Sequence, residues 1–352
     1  MSTSTRKAPS SALTSFVVAS RYLPVYVAIA LLLVVAAIWA PRTLSGPGLR
    51  AIAPFGTFLA IAALGQMLVI MTGGIDLSVP GTLTLAAVVT VGVGQTSDDR
   101  LLLAIGVALL FSALVGLVNG ILIGGLGLNA LIVTLAVGQI VSGIAFRYFT
   151  GVAIQTPVPA SLSAWTSARF LGITRTFWVG VALMLVLVVI FRFTTPGRRF
   201  QVVGANPTAS WIAGLRVNMN QVGAYVMAAV LYGVVGILLA SFLKTPNITL
   251  GAPYLLGPIA AVVIGGASLT GGLASPMSTW SAAFFLAGLN QMMRVMGLPT
   301  ALQFVVFGVV IIGGMLVSGD RIIRAVEQLL RERKRSEVMA APPVGSSSGG
   351  SA

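Results

Sequence analysis

The chain has 352 residues, 57% hydrophobic and 8% charged, with a mean hydropathy of +1.01 and a formal net charge of +14. Soluble domains carry about 25% charged residues, so this chain cannot clothe a water-facing surface and its solvent is largely lipid. The sequence contains neither cysteine nor histidine, which excludes disulfides, thiolate sites and imidazole chemistry, and its cations fall in short runs between apolar segments, as topology signals do, which argues against a nucleic-acid-binding face.

Residues 1–21 are polar, end in Arg21 and read as a cytoplasmic N-terminal segment. A spanning helix needs about 20 apolar residues. Ten stretches are candidates, at 22–40, 51–71, 78–94, 101–119, 129–149, 176–193, 220–242, 252–268, 275–293 and 299–317. The first is read as a retained span, because Ala37-Ile38-Trp39 is too bulky for a signal-peptidase site. The third and eighth are short and border glycine clusters. The fold class expected is therefore an all-α integral membrane domain over 22–318 with about ten transmembrane helices. An even number of spans puts both termini on one side. If that side is cytoplasmic, it collects Arg6, Lys7 and Arg21, then Arg192, Arg198, Arg199 and Arg216. It also takes Arg321, Arg324, Arg331, Arg333, Lys334 and Arg335. That is 13 cations against 8 outside, and the positive-inside rule favours it. The largest cytoplasmic loop is then 194–219. Residues 319–337 carry one apolar stripe, Ile322, Ile323, Val326, Leu329 and Leu330, on a basic helix suited to the inner membrane surface. The Pro/Gly/Ser tail at 338–352 is expected to be disordered.

An internal repeat underlies the spans. With a one-residue gap, Asn119, Gly127-Leu128 and Gly138 align with Asn290, Gly297-Leu298 and Gly308. Gly73-Gly74 and Gly265-Gly266 also border spans three and eight. Spans two to five then recur, inverted, as spans seven to ten, an arrangement that in transporters places the solute path between the halves. Chance similarity among glycine-rich apolar segments is the alternative.

Three motifs stand out. Thr72-Gly73-Gly74-Ile75-Asp76-Leu77-Ser78-Val79-Pro80-Gly81 holds the one acidic residue near membrane depth. A charge at the bilayer centre costs roughly 2.5–3.5 kcal/mol, so Asp76 is expected near a surface, in a cavity or paired. Asp76 or Ser78 either caps span three or contacts a gate or solute path. The second motif, Gly204 to Arg216, lies in the large cytoplasmic loop. Asn206 is a good N-cap, Pro207 a good first helical residue and Gly214 a good terminator, which predicts a helix of two turns. Isolated helices that short are marginal, and Trp211, Ile212 and Leu215 offer an apolar face. The helix either rests on its own membrane domain or docks a cytoplasmic motor, and the residues expected to couple to an ATPase are Gly204, Asn206, Pro207, Thr208, Ala209, Trp211, Ile212 and Gly214. The third motif, Ile264 to Gly272, reads as a turn and helix-packing device. Its glycines are not followed by Lys-Ser or Lys-Thr, so it is no P-loop. Polar residues within spans, Gln66, Asn119, Thr134, Gln139, Asn290 and Gln303, either line a hydrated path with Asp76 and Ser78 or tie helices together.

The stretches TGGIDLSV, VGANPTA…AGLRVN and AAVVIGGASLTGG, in that order over about residues 50–318, resemble the membrane permease subunits of bacterial ABC sugar importers of the ribose/arabinose/xylose type. The resemblance implies a non-catalytic channel subunit in the bacterial inner membrane, paired with an identical or related permease. It also implies a periplasmic or lipid-anchored solute-binding protein that delivers a sugar-like molecule. Cytoplasmic ATPase subunits would dock on the 204–216 loop, with ATP and Mg in those partners and no cofactor on this chain. Relatives often carry an acidic pair in the form YELDAIAAVVIGG; here Leu255 and Gly257 stand in its place, followed by Pro258. Alternatives are a branched-chain amino acid or nucleoside as cargo, or an ion-coupled secondary transporter built around Asp76.

Overall fold

The computed structural model describes residues 11–153, 157–245 and 247–318. The basic segment at 319–337 and the tail at 338–352 lie outside the described residues. Thirteen helices carry the described fold: α1 Ser11–Trp39, α2 Gly46–Met71, α3 Val79–Gly94, α4 Leu101–Gly120, α5 Ala130–Tyr148, α6 Ala160–Ser167 and α7 Arg175–Phe193, then α8 Thr195–Ala205, α9 Pro207–Ile212, α10 Val217–Leu243, α11 Gly257–Ile264, α12 Pro276–Val295 and α13 Thr300–Ser318. A two-stranded ribbon, β1 Arg169–Phe170 with β2 Ile173–Thr174, joins α6 to α7.

Every expected span coincides with a helix, but six are long and apolar enough to cross a membrane by length and composition: α1, α2, α4, α5, α7 and α10. Three of the other four depart for definite reasons. Helix α3 has 16 residues, about 24 Å at 1.5 Å per residue, short of a 30 Å hydrocarbon core. The span expected at 252–268 is broken: a short turn at Ala252–Tyr254 precedes the eight-residue α11, and the chain then leaves the helix at Gly265. Helix α12 is long but carries Ser278, Thr279, Asn290, Gln291 and Arg294. At the other end, α1 begins at Ser11, not after Arg21.

Helix α2 is the centre. From Phe58 to Met71 every side chain is buried, as expected of a helix apolar on all sides. Around it the packing keeps its pattern when the two expected repeats are exchanged. Helix α4 lies on α10 as α12 lies on α2, and α3 touches α10 as α11 touches α2. Likewise α3 packs on α4 and α5 as α11 packs on α12 and α13, while the contact of α2 with α10 maps onto itself. Gly127 and Gly297, aligned in sequence, end their helices with φ of +71° and +70°.

Close approach of α4 and α10 rests on a feature absent from the sequence expectations. Ala108, Ser112, Gly116, Gly120 and Gly124 recur every four residues and are all buried. A Cβ at Gly116 would land on the Tyr225 carbonyl oxygen, and one at Gly120 would lie 2.8 Å from the Val222 Cα. Across the interface, a Cβ at Gly233 would overlap the Ser112 hydroxyl. In lipid, where apolar side chains gain little by leaving solvent, such backbone-to-backbone contact drives association through dispersion.

Candidate functional site

The polar site grows from the end of α2. Gly73 adopts φ +82°, a left-handed conformation that glycine takes without Cβ strain. The Gly73 and Gly74 amides donate to Ile70 O and Val69 O at 2.9 and 3.2 Å, closing the helix. Gly74 then passes beneath the Tyr225 hydroxyl, where a Cβ would not fit. The chain runs on without helical structure to Ser78, and in this unwound stretch each backbone group needs a partner.

The expected path residues supply them. In one amide orientation, Gln66 Nε2 donates to Asp76 O and to the Tyr232 hydroxyl while Gln66 Oε1 accepts from Asp76 N, all at 3.1 Å. Leu77 N donates to Thr134 Oγ1 at 2.9 Å, and the Thr134 hydroxyl donates to Ala130 O at 2.8 Å and more weakly to Ile75 O at 3.3 Å. Asp76 Oδ1 accepts from Ser78 N at 2.8 Å and from Ser78 Oγ at 2.6 Å. Ser78 Oγ in turn accepts from Asn119 Nδ2 at 2.9 Å. A Cβ at Gly138 would lie 3.0 Å from the Ser78 Cα, so the aligned repeat glycine makes room for this loop on α5. Gln66, Asp76, Ser78, Asn119 and Thr134 therefore form one buried network on α2, α4 and α5 around residues 75–78.

Of the settings expected for Asp76, the structure shows an enclosed and paired one: it is fully buried and accepts two hydrogen bonds from Ser78. Three other expectations need correction. Neither Asp76 nor Ser78 caps α3: Ser78 occupies the N-cap position but makes no cap bond, because its hydroxyl is taken by Asp76 and Asn119. Asn290 and Gln303 stand apart from the network. Asn290 is half-buried on α12, and Gln303 Nε2 donates to Leu298 O at 2.8 Å, a local bond at the start of α13. Gln139 faces outward, exposed on α5.

Asp76 Oδ2, Asn119 Oδ1 and the Tyr225 hydroxyl are buried without a hydrogen-bond partner. Buried polar atoms in that state are costly, and they leave the network with unused hydrogen-bonding capacity. Beside it opens a cleft of about 490 Å³ lined by Thr72, Gly73, Gly74, Asn218, Gln221 and Tyr225, with the π-turn at Ile121–Gly125 as a further wall. The lining residues of α10 were not among the sequence candidates. Their signal was the polar start of an otherwise apolar span, Asn218, Asn220 and Gln221. Replacing Thr134 with valine leaves the Leu77 amide unpaired and is expected to destabilise the protein by about 1–3 kcal/mol. Thermal unfolding in detergent checks this, with Thr134→Ser expected to behave as the parent.

The position of the missing acidic pair also has a physical reading. Gly257 is buried, and a Cβ there would lie 2.9 Å from Leu59 Cδ1. An aspartate there would have to displace the end of the Leu59 side chain of the central helix.

The second candidate region is α8 with α9. The expected cap forms: Asn206 Oδ1 accepts from Ala209 N at 2.9 Å, Pro207 opens the helix, and Gly214 follows it with φ +79°. Leu215 N reaches back to Ser210 O at 2.9 Å, which closes the short helix. Trp211 and Ile212 are 72% and 75% exposed, and Pro207, Thr208 and Ala209 are exposed beside them. Gly204 differs. It is buried against the end of α2, so it cannot belong to an outward docking surface. Truncating the cap, Asn206→Ala, is expected to cost about 1 kcal/mol locally. Hydrogen exchange of the 209–215 amides then quickens about fivefold, while the membrane helices stay unchanged.

Comparison with known proteins gives one family and a set of relatives. The family model described as "Branched-chain amino acid transport system / permease component" matches residues 48–315. The ribose import permease protein of Escherichia coli K12 is 31% identical over 265 residues, covering 74% of this chain and 82% of that protein. The L-arabinose ABC transporter permease protein of Azospirillum brasilense is 30% identical over 260 residues, 74% of this chain and 76% of that protein. The autoinducer 2 import system permease protein of an Enterobacter species (strain 638) is 31% identical over 318 residues, 90% and 92% of the two chains. No solved structure matches.

Proposed function

This chain belongs to the family of permease components of branched-chain amino acid transport systems, and we propose that within it the chain is the channel-forming subunit of an ATP-driven importer for a sugar-like solute. The observation that carries the cargo is the network around residues 75–78. Asn119 Oδ1, Asp76 Oδ2 and the nearby Tyr225 hydroxyl are left there without a partner, and the cleft beside them is lined by the polar side chains of Thr72, Asn218 and Gln221. An uncharged polyhydroxyl solute is matched by partners of this kind. The relatives named for ribose and L-arabinose import point the same way. A branched-chain amino acid would also call for a cation to hold its carboxylate, and among the described residues no lysine or arginine lines the cleft.

The chain sits in the bacterial inner membrane with both termini in the cytoplasm. ATP and Mg belong to cytoplasmic ATPase subunits, which dock on α9 through Pro207, Trp211 and Ile212. Gln139 favours a second permease against α5: it stands exposed among Ile132, Leu135, Ile140 and Ile144, and a polar side chain on a lipid-facing helix is costly. That second permease is an identical copy or a related chain. A solute-binding protein delivers the cargo at the outer face.

Reconstitution tests the reading. The chain is placed in liposomes with the ATPase and binding protein of its transport system, and radiolabelled pentoses, hexoses and branched-chain amino acids are offered. Uptake of a sugar that requires both ATP and the binding protein supports the proposal. Uptake confined to an amino acid overturns the cargo, and uptake driven by an ion gradient without ATPase overturns the class.

A further inference from the structure

Three backbone segments distant in sequence meet at the end of α2. The Met71 carbonyl is among the last four of that helix, which lack helical donors, and the Gly272 amide donates to it at 2.8 Å. Gly204, next to last in α8, packs so closely on the same carbonyl that a Cβ would overlap the oxygen. A Cβ at Gly271 would lie 2.5 Å from Gly204 O, and one at Gly272 would lie 2.7 Å from the Ala205 Cα. Gly271 and Gly272 also hold φ of +100° and +84°, a region that side chains disfavour. The junction is therefore made of main chain alone, and each of its three glycines is required by an approach closer than a side chain permits.

Its neighbours give it a direction. One residue beyond Ala205 is Asn206, the cap of α9, and Ser210 Oγ on α9 donates to Val202 O of α8 at 3.2 Å. On the other side Met71 leads into the loop whose Asp76, Leu77 and Ser78 are gripped by α2, α4 and α5. We propose that Gly204, Gly271 and Gly272 are positioning residues for energy coupling. They weld α8 and α9 to the end of α2, so that a push on α9 moves the 72–78 loop directly. The weld stays closed throughout the cycle, and the polar network around 75–78 is the part that rearranges. Backbone contact suits this role, because side chains with free rotamers would absorb a displacement of an ångström or two before passing it on.

The inference rests on the docking reading of α9, and the test separates the two. The intact reconstituted transporter is studied by hydrogen exchange at rest and after trapping with ATP and vanadate. The Gly272 amide is expected to keep its protection within about twofold in both states, while amides at 76–78 change by tenfold or more. In parallel, Gly204→Ala is expected to retain the ATPase subunits and their hydrolysis but to lose at least about tenfold in solute uptake. Loss of Gly272 protection on trapping, or uptake by Gly204→Ala equal to the parent, overturns the weld. If the ATPase subunits do not associate through α9 in the parent, the docking reading fails instead, and that is seen first, in the composition of the purified complex.

Discussion

Replacing Trp211 with aspartate is expected to leave the permease inserted and folded while lowering ATP-driven uptake by about thirtyfold. Helix α9 has six residues, too few to be stable alone. Its cap and terminator hold it in shape, yet its largest apolar side chains point away from the protein. Trp211 and Ile212 expose 72% and 75% of their surface, and a cleft of about 420 Å³ beside them is lined by Leu215, Arg216, Asn218 and Met219. A buried tryptophan anchor at an interface is commonly worth 2 kcal/mol or more, about thirtyfold in affinity at 25 °C. A carboxylate in its place adds the cost of desolvating a charge. Because Trp211 makes little contact within the chain, its loss leaves the fold intact. Co-purification of the ATPase and thermal unfolding, measured on the same variant, separate the two effects: binding falls, the melting temperature does not.

A second large effect is expected at Gly116. Leucine there is ordinary by composition in a lipid-exposed helix, yet it would drive its Cβ into the Tyr225 carbonyl and the Ala229 methyl. Helix α4 would have to withdraw from α10 along the whole Ala108–Gly124 stripe. That would tear Asn119 from Ser78 and open the cleft beside Tyr225. Overpacking of a tight interface costs 1–3 kcal/mol and sometimes more, and here the backbone cannot yield. The variant is expected to insert but to lose its cooperative unfolding transition in detergent. Leu114→Ala, on the exposed face of the same helix, is expected to unfold as the parent does.

The sequence carried the site further than the periods of its helices would suggest. Helix α9 was legible because caps are local: Asn206, Pro207 and Gly214 each do a job set by the backbone alone. Helix α8 obeys the same grammar, with Thr194 accepting from Gly197 N and Pro196 in the first turn. In the sequence it reads only as part of a loop, because its residues are too polar to resemble a span. Five of the seven path candidates converge because they surround one unwound stretch, and an unwound stretch inside a membrane domain gathers polar side chains to satisfy its backbone. Asn290 holds the place in the second repeat that Asn119 holds in the first. The 75–78 loop, however, lies against α4 and α5, and Asn290 does not reach it. The glycines failed differently. Gly204 reads as part of a docking motif, and the Ala108–Gly124 stripe reads as apolar filler, because what each permits is set by the chain that crosses it. That crossing depends on tertiary structure.

The central claim is that an ATPase drives this channel through α9, and the most direct measurement is ATP-dependent uptake in liposomes holding the permease, its ATPase and its binding protein, with the parent and Trp211→Asp side by side. The expected result is sugar uptake that needs all three components and falls about thirtyfold in the variant, with the permease still folded. Equal uptake by the variant, or uptake by the permease alone down an imposed ion gradient, would contradict it.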